Sequence, residues 1–260
     1  MRWIHGLRAF PFAVQDTPFR NPSANRSFAG VCRRRLILPP DDHTSYNRLM
    51  SPTGHATPTV HWAARTLKLG TAAIPLLMAR RAASEADCAV SRVVIVAHGL
   101  GVGKEVQRPE LERLAKAGFI AVCPDAPHHG ERRDGLLERL EASTGAERHE
   151  RLIGMVSEAA SEIPLLIAHF RYSLGARVAM TGISMGGFTT FASFLHEPRP
   201  DVAIPFLASP DWRTQEQRKA GFPLKGPARS PGRFFPVPLL AVTAGLDTVV
   251  PPDAAVSFME

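Results

Sequence analysis

The sequence has no long apolar run of the kind a membrane-spanning helix needs. No stretch approaches the roughly 18 uncharged apolar residues of a bilayer crossing, and no apolar segment at the N-terminus leads to a small-residue cleavage site. Cysteine is scarce. Cys32, Cys88 and Cys123 are odd in number, far apart and never spaced C-x-x-C, so neither a disulfide framework nor a structural zinc site is indicated. Metal-ligand spacing is missing as well. His128, His129 and Glu131 lie together, but adjacent residues seldom converge on one ion, and no H-E-x-x-H occurs. These absences predict a soluble, cytoplasmic protein without metal or cofactor.

What is present sits near the globular average. The 260 residues are 45% hydrophobic and 21% charged, enough for one sizeable core in a single α/β domain. The net charge of +7 is unevenly placed. Residues 1–40 hold seven arginines (Arg2, Arg8, Arg20, Arg26, Arg33, Arg34 and Arg35) against Asp16, which leaves a nearly neutral body. Such an Arg-rich leader resembles a transit peptide or a basic arm, yet it has no helical apolar stripe. It is expected to be a disordered extension over 1–49, with Met50 as an alternative start and 50–260 as the folded domain. A nucleic-acid-binding reading rests on this leader alone and predicts affinity lost on removing residues 1–49.

The elements follow from periodicity. Thr59 to Leu69 and Thr71 to Arg80 read as two extended runs meeting at Gly70, an opening hairpin. Arg92 to Gly99 contains a β-branched run suited to a strand buried on both faces. Pro109 at a helix start, Leu111, Leu114 and Ala115 on one face and Gly118 as stop mark a helix, followed by a strand at Phe119 to Cys123. A second helix is expected from Glu147 to about Phe170, kinked at Pro164, and a strand from Arg177 to Ile183. A helix from Gly186 to about Leu195, strands near Val202–Leu207 and Val237–Ala244, and a short helix from Pro252 complete the series. The Pro-rich connection Ser209–Pro236 reads as irregular loop with little helix. Strands alternating with helices imply a mostly parallel α/β sheet.

The loop His98-Gly-Leu-Gly-Val-Gly-Lys-Glu105 tests as a nucleotide site and fails. A P-loop needs Gly where His98 stands and Ser or Thr at Glu105, and a dinucleotide fingerprint needs a third Gly at Lys104. Thr181-Gly-Ile-Ser184-Met-Gly-Gly187 is more specific. This G-x-S-x-G closes a β-branched strand and opens an apolar helix, where small neighbours let a strained serine turn pack tightly. The alternative is a Gly-Ser loop without chemistry. The helix that follows points its first amides toward the serine, so the Met185 N–H can stabilise an oxyanion.

These residues resemble the α/β hydrolases, more narrowly the dienelactone-hydrolase-like and prolyl-oligopeptidase-like serine esterases. Four matches carry the resemblance over roughly Thr59 to Glu260: His98-Gly99, Pro124-Asp-Ala-Pro-His-His-Gly-Glu-Arg132, the Ser184 turn, and Ala244-Gly-Leu-Asp247-Thr-Val-Val-Pro251. It implies an α/β-hydrolase fold, Ser184 as nucleophile, Asp247 as triad acid, and Leu100 N–H as the second oxyanion donor beside Met185. His98 itself reads as an orienting loop residue in preference to a base. For Asp247 the alternative is a solvated loop aspartate or helix cap. Small-molecule esters or short peptides are the implied substrates, with residues 126–164, including Glu131, Arg132 and Arg133, overhanging the site.

One departure stands out. The family's chain order is serine, acid, histidine, and all ten histidines, His5 to His196, precede Asp247. The expectation is therefore a chain that stops short of the last strand and its catalytic histidine. Two further readings stay open: a non-catalytic ligand-binding protein, and a substitute base at His128 or His129.

Overall fold

The computed structural model describes residues 59–82 and 91–260; the leader over 1–49, Met50, Cys32 and Cys88 lie outside them. Ala56–Glu260 forms one compact unit. The expected hairpin consists of β1 (Val60–Leu69) and β2 (Ala72–Arg81), paired antiparallel in a register that closes at Leu69–Ala72. Gly70 makes the turn at φ +62°, a conformation that glycine adopts without steric cost. Then come β3 (Arg92–Ala97), helix α1 (Arg108–Lys116) and β4 (Ile120–Pro124). Two helices follow, α2 (Leu136–Ala142) and α3 (Gly145–Leu174), then β5 (Arg177–Ile183), α4 (Met185–Ala192) and β6 (Val202–Phe206). Short helices α5 (Gln215–Lys219) and α6 (Asp253–Met259) complete the chain.

The sheet order is β1-β2-β4-β3-β5-β6. β4, β3, β5 and β6 run parallel, and the hairpin joins antiparallel through β2 against β4. Alternation along the central strands explains why both faces are covered. Val93 and Ile95 of β3, with Val122, Val178 and Met180, meet Ile163, Leu166, Ile167 and Phe170 of α3 on one face. Val94 and Val96, with Ala121 and Cys123, meet Leu111 and Ala115 of α1 on the other. Each fully buried aliphatic side chain of this kind contributes about 1.5–3 kcal/mol. The fold is a mixed six-stranded sheet flanked by helices, as the resemblance implies.

Two expectations change in detail. The second helix is longer than predicted and continuous through Pro164 from Gly145 to Leu174. By length and composition it could cross a membrane, with mean hydropathy 1.3 over its most apolar window, but its apolar face lies against the sheet. The strand expected at Val237–Ala244 is an extended segment joined to β6 by two isolated parallel bridges, Ala203–Leu239 and Phe206–Val242. Ala203 N–H donates to Pro238 O and Leu240 N–H to Ala203 O; Val242 N–H donates to Pro205 O and Leu207 N–H to Val242 O. Pro205 has no N–H to supply the bond between those two pairs, so the ladder is split. The Pro-rich connection carries α5 and two single 3-10 turns.

Candidate active site

β5 ends at Ile183, and Ser184 turns the chain directly into α4 with φ +54° and ψ −118°. A serine in this region is strained by about 1–3 kcal/mol. The surroundings hold it there. Ser184 N–H donates to Phe206 O at 3.0 Å, and its carbonyl accepts from Phe188 N–H at 2.9 Å. The flanking glycines make the turn possible. A Cβ on Gly182 would stand 2.5 Å from the Gly186 carbonyl carbon, one on Gly186 would strike Ala97 O, and one on Gly187 would strike Phe206 O.

Ser184, Met185 and Leu100 line one cavity of about 400 Å³. Met185 is the first residue of α4, so its N–H has no acceptor inside the helix. Leu100 lies in the loop after β3. Beneath the cavity Met185 packs with Val156, Ala160 and Ala192, and Leu100, Leu152 and Trp212 close the apolar floor. Asp247 is placed differently. Its Oδ1 accepts from Val249 N–H at 2.8 Å and Val250 N–H at 3.0 Å, and its loop reaches the cavity through Thr248, Val249 and Val250, whereas Asp247 is not among the lining residues. Among the described residues, no side chain hydrogen-bonds the Ser184 hydroxyl.

The histidines proposed as substitute bases are engaged elsewhere. His128 Nδ1 lies 2.7 Å from Asp134 and Nε2 2.8 Å from Glu158. Burial alone would lower its pKa, but the two carboxylates raise it above the ordinary histidine value. His129 is fully buried, donates Nδ1–H to Pro127 O at 2.7 Å, and has no partner at Nε2; burial pushes its pKa down. Neither lines the Ser184 cavity. Glu131, Arg132 and Arg133 do not overhang it either: they pair with Lys104, Glu162 and Glu138. From the expected overhang, it is α3 that reaches the cavity, with Arg148, His149, Leu152 and Ile153.

Sequence reasoning missed His149 and the charged residues that line the cavity with it. His149 Nε2 lies 2.6 Å from Trp212 O; a carbonyl only accepts, so Nε2 carries a proton. Asp211, almost fully buried, takes a forked ion pair from Arg213, with Nη2 2.7 Å from Oδ2. Burial alone would raise the Asp211 pKa; Arg213 and then Arg218 pull it below the usual carboxylate value. With Arg148, Arg213 and Arg218 against Asp211, the charged lining of the cavity is net cationic. No sequence signal marked these residues, because His149 and Trp212 are 63 positions apart.

A buried cluster ties the loop after β3 to the loop after β4. Asp125, wholly buried, accepts from Lys104 N–H at 2.7 Å, Lys104 Nζ at 2.7 Å and Glu131 N–H at 3.0 Å. Burial alone would raise its pKa, but those donors hold it below the ordinary range. Gly130, at φ +54°, abuts the Asp125 carboxylate so closely that a Cβ there would overlap it.

Comparison with known proteins bears on the fold and the family. A protein of Bacillus subtilis (strain 168) named as an esterase, YitV, is 31% identical over 123 residues, which cover 46% of this chain and 46% of that protein. The chain thus matches about half the length of that curated relative. Among solved structures, TT1662 of Thermus thermophilus aligns with a TM-score of 0.57 and 21% identity, covering 76% of this chain and 82% of that one. A cold-adapted esterase from an Arctic intertidal metagenomic library aligns at 0.54 and 17% identity, covering 77% and 79%. At such identities the likeness shows the shared α/β-hydrolase fold. The dienelactone hydrolase family matches across residues 78–258, a span that takes in β3, the Ser184 turn and the Asp247 loop, and the chain belongs to that family.

Proposed function

We propose that this chain is a serine hydrolase of small carboxylic esters, working through an acyl-enzyme on Ser184. The observation that carries the reading is the left-handed Ser184 at a strand-to-helix turn, sharing one cavity with Leu100 and Met185. Ser184 Oγ attacks the ester carbonyl, and the oxyanion that forms is held by the amides of Leu100 and Met185. The alcohol leaves, and water then hydrolyses the acyl-serine. Asp247 is assigned to orient and stabilise a histidine base. In the family's chain order that base follows Asp247; within the described residues, His149 is the histidine that lines the cavity. Arg148 and Arg218 line the same cavity.

A second reading, a ligand-binding protein without turnover, is favoured by one observation: the Asp247 carboxylate is engaged by its own loop. The two separate on labelling with a fluorophosphonate probe and on hydrolysis of a short-chain p-nitrophenyl ester, with a short peptide amide as a third substrate. The esterase reading expects labelling and ester turnover that fall by at least about a thousandfold in Ser184→Ala. Absence of both in the chain, with a ligand still bound in the cavity, would overturn it in favour of the binding protein. Preference for the amide would make it a peptidase.

A further inference from the structure

We propose that His98 is a positioning residue that aims the Leu100 N–H at the Ser184 cavity by holding the other end of the same peptide group. The inference rests on the Ser184 chemistry proposed above and adds the device that orients one of its two oxyanion donors.

The geometry is local and closed. His98 is 1% exposed. Ala126 N–H donates to His98 Nε2 at 3.0 Å. A backbone amide only donates, so Nε2 must hold a lone pair and the ring proton must sit on Nδ1. Nδ1 in turn lies 2.8 Å from Gly99 O, and with that tautomer it donates to the carbonyl. Gly99 C=O and Leu100 N–H belong to one planar trans peptide, in which the two bonds point in opposite directions. Fixing the carbonyl toward the imidazole therefore fixes the amide away from it, and Leu100 lines the cavity of Ser184. The bond also polarises the peptide, which strengthens its N–H as a donor.

The imidazole is itself held from behind. Ala126 follows Asp125, whose carboxylate is locked by Lys104 and by the amides of Lys104 and Glu131. The charged and titratable groups facing His98 are His129, with ring centroids 5.3 Å apart, Asp125 and Lys104. Burial is the largest influence and keeps the ring neutral, with its pKa below the ordinary value. A neutral imidazole has one donor and one acceptor nitrogen. Here one accepts from the loop after β4 and the other donates to the loop after β3.

Two substitutions separate the two bonds. Asparagine places its amide nitrogen near the Nδ1 position, so His98→Asn keeps the donor to Gly99 O; glutamine places its carbonyl near Nε2, so His98→Gln keeps only the acceptor for Ala126. The full-length chain and both variants are compared by ester kinetics, thermal midpoint, imidazole nitrogen NMR and the Leu100 amide proton shift, with Ser184→Ala as control. The expected result is an Nδ1–H tautomer in the parent and a Leu100 amide shift moved by Gln but little by Asn. kcat should fall about ten- to a hundredfold in Gln, with KM within about twofold, while Asn stays within about fivefold. An Nε2–H tautomer, a Leu100 amide indifferent to the Gln change, or equal loss in both variants that follows the thermal midpoint would overturn the assignment. If the parent shows no Ser184-dependent turnover, the hydrolase reading falls, and the tautomer and the Leu100 shift still decide what His98 does.

Discussion

Ser184 and its glycines show how a few atoms of missing side chain make a reactive turn possible. Gly186 lies in the first turn of α4, where an added Cβ would meet Ala97 O and stand 2.8 Å from His98 O. Those are backbone atoms at the end of a central strand and cannot rotate away. Gly186→Ala is therefore expected to lower unfolding free energy by about 3 kcal/mol, the upper range for overpacking. Gly154, on the exposed side of α3 with nothing within 4 Å of a built Cβ, makes the matched control. Gly154→Ala should stabilise by about 0.4–1 kcal/mol, because alanine reduces the entropy of the unfolded chain. Urea midpoints at constant m-value check both; equal effects would mean that the close approach at Gly186 is not what constrains it. The G-x-S-x-G pattern announced this turn in the sequence, since its glycines meet atoms of the same local strand-turn-helix and of the adjoining strands. The partners of His128 were not legible, since Glu158 is 30 residues away.

At the scale of elements, β3 and β4 were readable because each is a short β-branched or apolar run buried on both faces, too short for a helix, and β5 because buried positions alternate along it. The segment after the Pro-rich connection was read as a full strand from the same kind of run, and Pro205 on its neighbour interrupts the ladder. Composition of one strand does not disclose a missing donor on another. The Lys104–Asp125 pair is a similar case: Lys104 was considered only as part of a failed phosphate loop, yet it is almost wholly buried and bonded to a fully buried carboxylate. Lys104→Met alone would leave Asp125 short of a counter-charge in the interior, and a cost of about 3–5 kcal/mol is expected. Lys104→Met with Asp125→Asn should cost clearly less than the sum of the two single changes, a coupling of more than about 1 kcal/mol by denaturation. Additive effects would show that the two loops are joined by their backbone bonds and not by the ion pair.

For the whole molecule, histidines set opposing pH dependences of stability. His98, His129 and His196 each have a pKa lowered chiefly by burial. The unfolded chain takes up protons at these positions first, so their neutral burial stabilises least in acid, and stability falls as pH drops through about 6.5. His128 acts the other way. Its pKa is raised despite burial by Glu158 and Asp134, so its contribution is complete below about 6.5 and is lost as pH rises through its raised folded value. His128→Asn keeps a residue tolerant of the left-handed φ of +66° and removes the titration. The stability difference between parent and variant should be larger at pH 6 than at pH 9, measured by urea denaturation at each pH. A difference independent of pH would show that His128 is held by its backbone and not by its carboxylates.

The sequence by itself determined the order and type of the six strands of the sheet and of helices α1, α3, α4 and α6, and the strained serine between β5 and α4. These depend on neighbours within a turn or two, where side-chain period and glycine sterics act. The tertiary structure decided what faces that serine. Which loop residues line the cavity, that His149 rather than His128 or His129 reaches it, and that Glu131 and Arg132 turn away to ion pairs all follow from contacts between residues 27 to 63 positions apart. Such contacts arise only when α3 and the Pro-rich connection pack over the sheet, because long-range partners are selected by shape and charge in the folded chain and leave no period in the sequence.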